Sequence, residues 1–202
     1  MERQVMFKDP FGWFPDSFFT NLFSLVFVGV YAVDYIVPRF TNPNYQRQSL
    51  KGDRGSFLII IAAIILALFI SIFLRLKNIG ILTGVFQWLG LLLMLAGTTF
   101  RQWALMHLGR FFSRTIQIET AHQIIKTGPY KSIRHPAYTG MILVYLGISM
   151  ALGTWLGALT TFVIVTASLL YRIHVEENSL LQALGEEYSK YREQTWKLFP
   201  GW

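Results

Sequence analysis

Cysteine is absent from this 202-residue chain. Disulfides, thiolate metal ligands and a cysteine nucleophile are thereby excluded from its own residues. Charge is scarce: Asp, Glu, Lys and Arg make up 14% of residues, against about 25% in an ordinary soluble domain. Acidic residues are the rarer sign, 11 against 18 Lys and Arg, leaving a formal net charge of +7. No glycine-rich fingerprint of a strand–turn–helix nucleotide site is present. The histidines at 107, 122, 135 and 174 lack a metal-ligand spacing, so no metal is expected. The opening stretch MERQVMFKDPFGWFPDSFF does not read as a signal peptide, because Asp9, Pro10, Pro15 and Asp16 break up its apolar residues.

Apolar material is plentiful. Hydrophobic residues reach 53%, with 17 Phe, 9 Tyr and 6 Trp. Uninterrupted runs such as IIIAAIILALFI suit a bilayer better than a single soluble core. Five spans are expected: about Asn21–Val37 ending at Pro38, Ser56–Leu74, one from near Gly80 past residue 100, Tyr138–Leu152 and Thr154–Tyr171. Phe11, Trp13, Phe14, Phe18 and Phe19 read as an interfacial aromatic arm before the first span. Asp34 reads as a partner for Arg39 or as a cap on that span. Gly153 turns the last two spans into a hairpin, with Gly140, Gly147 and Gly157 allowing its helices to approach closely. LLQALGEEYSKYREQ then reads as an amphipathic surface helix.

The basic charge lies in linkers beside apolar spans, which favours membrane topology and anionic lipid headgroups over nucleic acid. The 38–55 linker carries net +3 and the 101–137 segment net +5. The positive-inside rule puts both in the cytoplasm, with the N-terminus outside and the C-terminus cytoplasmic. The chain is thus read as an all-α integral membrane protein of about five transmembrane helices, with a short helical hairpin from spans 4 and 5 and a cytoplasmic C-terminal helix. It is taken as one multi-pass membrane domain, placed in the plasma (inner) membrane. Within it, residues 1–98 are an N-terminal arm and helices of unclear resemblance, and 99–202 carry the chemistry.

Polar residues held against membrane spans are costly and mark function. Three groups stand out: HQIIKTGPY from His122 to Tyr130, RHPAY from Arg134 to Tyr138, and RIHVEE from Arg172 to Glu177. The hairpin leaves one membrane face and returns to it, which brings the second and third groups together. Arg172 and Glu176 are i and i+4 on one helix face. Gly128 and Pro129 permit a sharp backbone approach. Tyr130, His135 and Tyr138 offer flat faces and hydrogen-bonding edges. Glu176 or Glu177 could accept hydroxyls or an amino group, and Arg134 or Arg172 could hold a carboxylate or phosphate. The residues alone suggest a small nucleotide-like or zwitterionic ligand and leave its identity open.

The pattern GPYxxxRHPxYxG followed by RxxxEExxLxxxxGxxYxxY resembles the isoprenylcysteine carboxyl methyltransferase family, within the wider membrane phospholipid methyltransferase group. The resemblance covers about residues 99–200. It implies S-adenosyl-L-methionine as cofactor. By resemblance, His122, Gly128, Tyr130, His135, Pro136 and Tyr138 fall where the cofactor pocket forms, with Ile124 and Ile125 against the cofactor. Glu176 and Glu177 fall where its polar ends are held, and Arg134 joins this cofactor-binding set. Arg172 and Glu176 resemble the acceptor-side pair and are the catalytic candidates. The implied acceptor is lipophilic, enters from the bilayer and carries an isoprenylcysteine-type carboxylate; a phospholipid amine is the alternative acceptor, and a non-catalytic lipid-binding scaffold the alternative class. Trp88, Phe100, Trp103, Leu143, Leu146 and Trp155 are expected to line a lateral opening between spans 3, 4 and 5.

Overall fold

The computed structural model describes residues 12–41, 55–109 and 124–201. Among them the chain is helical, apart from two isolated β-bridges. The helices are α1 (Ser17–Thr41), α2 (Ser56–Leu76), α3 (Val85–Leu108), α4 (Pro136–Ala151), α5 (Trp155–Leu184) and α6 (Glu186–Glu193), with a 3-10 turn over Gly128–Lys131. Stretches of α1, α2, α3 and α5 are long and apolar enough to cross a membrane. A helix satisfies its own backbone, the condition lipid imposes. With 16 residues α4 is shorter, about 24 Å at the helical rise.

Local chemistry sets the ends. Asp16 caps α1 by accepting from the Phe19 amide at 2.7 Å. The helix therefore starts before Asn21 and takes Phe18 and Phe19 with it. Phe19 is fully buried, packed among Phe14, Phe23 and Trp88, so this part of the expected interfacial arm is core. Phe11 lies outside the described residues. Pro38 does not stop α1, which runs on to Thr41; a proline in a last turn removes only one backbone bond. Pro136 opens α4 from the first turn, where its missing N–H costs nothing. Thr154 caps α5 through the Gly157 amide at 3.2 Å. α5 then continues for 30 residues, well past Tyr171. The expected surface helix is divided by Gly185 at φ 55: Leu180, Leu181 and Leu184 belong to α5, and Tyr188 and Tyr191 to α6.

α4 is central. It packs along α3 on one side and α5 on the other, with α1 against α3 and α2 against α5. The α3–α4 contact is made by glycine. A Cβ on Gly90 would fall 2.7 Å from the Gly147 carbonyl oxygen, and one on Gly97 would fall 2.9 Å from that of Gly140. The small-residue face of α4 thus serves α3, not the hairpin partner α5 as its spacing suggested. Gly157 has a separate role, lying against Ser71 of α2. There the hydroxyls of Ser71, Ser149 and Thr161 bond one another at 2.7 to 3.2 Å and tie α2, α4 and α5 inside the bundle.

The two ends of the bundle differ. At the hairpin-turn end, Gly153 takes φ 85 and its carbonyl accepts from Leu82. Arg75 and Gln87 both donate to the Trp13 carbonyl, at 3.0 and 2.8 Å. Trp88 and Trp155 belong to this end, through Phe19 and the Gly80 carbonyl respectively. They therefore lie at the opposite end of the bundle from the start of α4. At the opposite end Arg101 binds Asp34 at 3.0 Å and donates to the Ala137 carbonyl at 2.9 Å, while Gln102 donates to Asp34 at 2.6 Å. Asp34 thus joins α1 to α3; the Arg39 side chain lies outside the described residues.

Gly147→Val puts a branched side chain where a Cβ alone already meets the Gly90 oxygen at 2.6 Å. It is expected to cost about 2 kcal/mol or more, measured as a lower melting temperature in detergent. Gly29→Ala, whose added Cβ meets nothing within 4 Å, is expected to melt like the parent protein.

Candidate active site

The site forms where α4 begins and α5 passes it. The 3-10 turn and the RHPAY segment lead into α4, and the C-terminal tail runs beneath them. Ile133 and Trp196 form a parallel bridge. The amides of Arg134 and His135 donate to the carbonyls of Trp196 and Lys197 at 2.9 and 3.2 Å. Leu198 is fully buried among Ile142, Val165, Leu169 and Ile173, and its carbonyl accepts from the Thr139 hydroxyl. The tail thereby fixes the backbone of the motif from below.

Glu177 is the hub. Its Oε1 accepts from Arg134 Nε at 2.6 Å and from His135 Nε2 at 3.1 Å, and Arg192 Nε approaches Oε2 at 3.6 Å. Both Glu177 and His135 are buried. Arg134 also donates to the Thr195 carbonyl. Burying one carboxylate beside matched donors is tolerable; burying it alone is not. The polar groups at the two ends of the hairpin therefore meet directly, as the folded-back topology requires.

A second group lies beside it. The Tyr138 hydroxyl donates to Glu176 Oε2 at 2.8 Å and accepts from Arg172 Nε at 3.3 Å. The phenol therefore stands between the guanidinium and the carboxylate that their i, i+4 spacing set on one face. The Tyr138 ring stacks on His135, with centroids 5.7 Å apart and planes 17° from parallel, which joins the two groups. Arg172 is 3% exposed, and its Nη1 donates to Ser56 Oγ at the start of α2, at 2.7 Å. Glu176 is half-buried.

The remaining described candidates lie on the segment that leads into α4. Gly128 has φ 56, a backbone conformation that strains other residues, and a Cβ there would sit 2.5 Å from His107 Nε2. Ile125 packs with Ala104, Leu105, Tyr130 and Ala137, while Ile124 is half-buried. Pro136 is buried at the start of α4. The Tyr130 carbonyl accepts from the Tyr191 hydroxyl at 2.7 Å. Burial pushes the Tyr191 phenol up to about 12, against a downward pull from Arg134, so it remains a donor at neutral pH. Burial raises the Tyr130 phenol as well. His122 lies outside the described residues. No group of three or more potential metal ligands occurs among the described residues. Ser56, Arg192, Thr139 and His107 had no local signal strong enough to single them out, since each acts through a partner distant in sequence.

The model of the isoprenylcysteine carboxyl methyltransferase (ICMT) family matches residues 88–182, which include α4, its turn and the Arg172–Glu177 stretch. Protein-S-isoprenylcysteine O-methyltransferase A of Arabidopsis thaliana is 31% identical over 145 residues, covering 68% of this chain and 74% of that protein. Protein-S-isoprenylcysteine O-methyltransferase B of the same plant is 30% identical over 136 residues, covering 64% and 69%. Among solved structures, the eukaryotic intramembrane Ras methyltransferase ICMT shares the fold with a TM-score of 0.57 at 21% identity, over 92% of this chain and 66% of that one. Four membrane-length apolar helices among the described residues, on this fold, make an integral, multi-pass membrane protein, and the chain belongs to the isoprenylcysteine carboxyl methyltransferase family.

Proposed function

We propose that this protein methylates the carboxylate of an isoprenylcysteine-type acceptor with S-adenosylmethionine, at the cytoplasmic face of its membrane. The observation that carries the reading is the Arg172–Tyr138–Glu176 group, set against the ends of apolar helices. It offers a cation and a carboxylate within one relay of each other, at the level where a lipid-anchored group and a soluble one can meet. The relatives' names give the acceptor class.

The residues present fit such a donor. Glu176 is half-buried and, among the described residues, only its Oε2 is engaged, by Tyr138. Its other oxygen can accept from an amino group or ribose hydroxyls. Tyr138, Tyr130, Ile124 and Ile125 supply flat and apolar surface, and Gly128 with Pro129 lets backbone approach closely. His122 completes this set on the strength of the motif. Glu177, His135 and Arg134 are engaged with one another; they act on the ligand by fixing the turn that holds it. Pro136 starts α4 at the height that aims Tyr138 at Glu176.

S-adenosylmethionine supplies an electrophilic methyl on a sulfonium, which a carboxylate takes by in-line displacement while the sulfur keeps the electron pair. Anion and cation are both neutralised, so no proton moves and no general base is needed. What the protein must do is orient and exclude water. Arg172 orients the acceptor carboxylate. Its guanidinium is shared with Ser56 and Tyr138, so its hold on the nucleophile is not so tight as to blunt it. The orientation proposed places the basic linkers and the C-terminus in the cytoplasm, with residues 99–202 as the methyltransferase part.

Calorimetric titration of the detergent-purified protein with S-adenosylmethionine is expected to give micromolar binding, about −8 kcal/mol at 1 μM. Lack of saturable binding leaves a lipid-binding scaffold. Transfer of labelled methyl into an isoprenylcysteine acceptor should give an alkali-labile ester, whereas an alkali-stable product in phospholipid would point to amine methylation. Glu176→Gln should weaken donor binding by roughly tenfold without lowering the melting temperature. Arg172→Ala should abolish turnover with donor affinity kept; equal loss of donor affinity removes its acceptor-side role. Glu177→Gln should behave differently from both, costing roughly 3 kcal/mol or more of stability because Arg134 loses its buried partner.

A further inference from the structure

Ser56 begins α2, outside the residues that the family model matches. Its side chain is fully buried, although a serine in the first turn of a helix normally faces solvent. It is not the cap: Gly55 holds that position, at φ 72, with no side-chain capping bond. The Ser56 hydroxyl instead accepts from Arg172 Nη1 at 2.7 Å, across 116 positions of sequence. Ile60, one turn along α2, packs in the same buried cluster as Ile173, the neighbour of Arg172. The start of α2 is thus pressed against α5 at the guanidinium itself.

We infer that Ser56 is a positioning residue for the acceptor carboxylate, a deepening that rests on the function proposed above. A guanidinium has a rigid plane, and two contacts on different nitrogens fix that plane. Tyr138 holds Nε and Ser56 holds Nη1. With Ser56 removed, Arg172 keeps its charge but loses the contact that orients its Nη1. Recognition of a carboxylate by a planar donor depends on that orientation. An acceptor already converted to its methyl ester carries no anion and feels the loss much less. α2 is therefore part of the acceptor-binding machinery and not only a membrane wall.

The test uses full-length protein in lipid nanodiscs, with N-acetyl-S-farnesylcysteine as acceptor and its methyl ester as a competing ligand. Ser56→Ala should raise the acceptor KM roughly tenfold, the loss expected when a hydrogen bond to a charged group is removed. Donor affinity and ester binding should be unchanged, so the preference for acid over ester narrows. Ser56→Thr, which keeps the hydroxyl, should restore most of that preference. An unchanged KM and preference in Ser56→Ala overturns the role. So does a parallel loss of acid, ester and donor binding, which marks a purely structural serine, and so does a Thr variant no better than Ala. If the parent protein methylates no farnesylcysteine while still binding donor, the proposed function fails and the Ser56 assignment falls with it; an active parent with an indifferent Ser56→Ala sinks the Ser56 assignment alone.

Discussion

A carboxylate buried beside membrane helices must be compensated where it lies. Glu177 meets that requirement through Arg134 and His135, contributed by the other end of the hairpin. The remaining geometry of the site follows. Once these groups pair, the first turn of α4 is level with the Arg172–Glu177 turn of α5, and Tyr138 falls between Arg172 and Glu176. The C-terminal tail reinforces the same arrangement by bonding the backbone of the motif and burying Leu198 below it. The pair is thus less a reserve of stability than a device for registration, since an ionic pair buried at such cost tolerates few alternative alignments.

A second constraint is steric. The α3–α4 glycine contact lets the two backbones approach to a distance that admits no side chain between them. It carries the end of α3 to the site, where Arg101 braces the Ala137 carbonyl and His107 lies against Gly128. α2 is brought in differently, through hydroxyls within the bundle and Ser56 at its end. Apolar packing alone supplies little direction in lipid, so these close contacts and hydrogen bonds determine which helices are neighbours.

Much of this was legible in the sequence, for identifiable reasons. α2 is an unbroken apolar run, and its start and end differ little from the expectation. The residues of the site were legible as types because RHPAY and RIHVEE place charge where membrane proteins rarely carry it. Their meeting was legible because a hairpin leaves few alternatives. Other features were not. The charges after Tyr171 suggested a surface helix, yet nothing before Gly185 breaks α5. Phe19 resembled an interfacial aromatic until the Asp16 cap placed it inside α1. The glycines of α4 announced close packing but not the partner, which proved to be α3. The bond from Ser56 to Arg172 and that from Asp34 to Arg101 join residues far apart in the chain, and no local pattern encodes either.

The central claim is that the polar groups at the two ends of the hairpin are coupled through Arg134 and Glu177. A double-mutant cycle measures this directly, comparing the thermal stability of Arg134→Ala, Glu177→Ala and the double variant in one detergent. The account predicts strong non-additivity, with the double variant losing little more than either single one. Additivity within about 0.5 kcal/mol, the behaviour of independent sites, would contradict it.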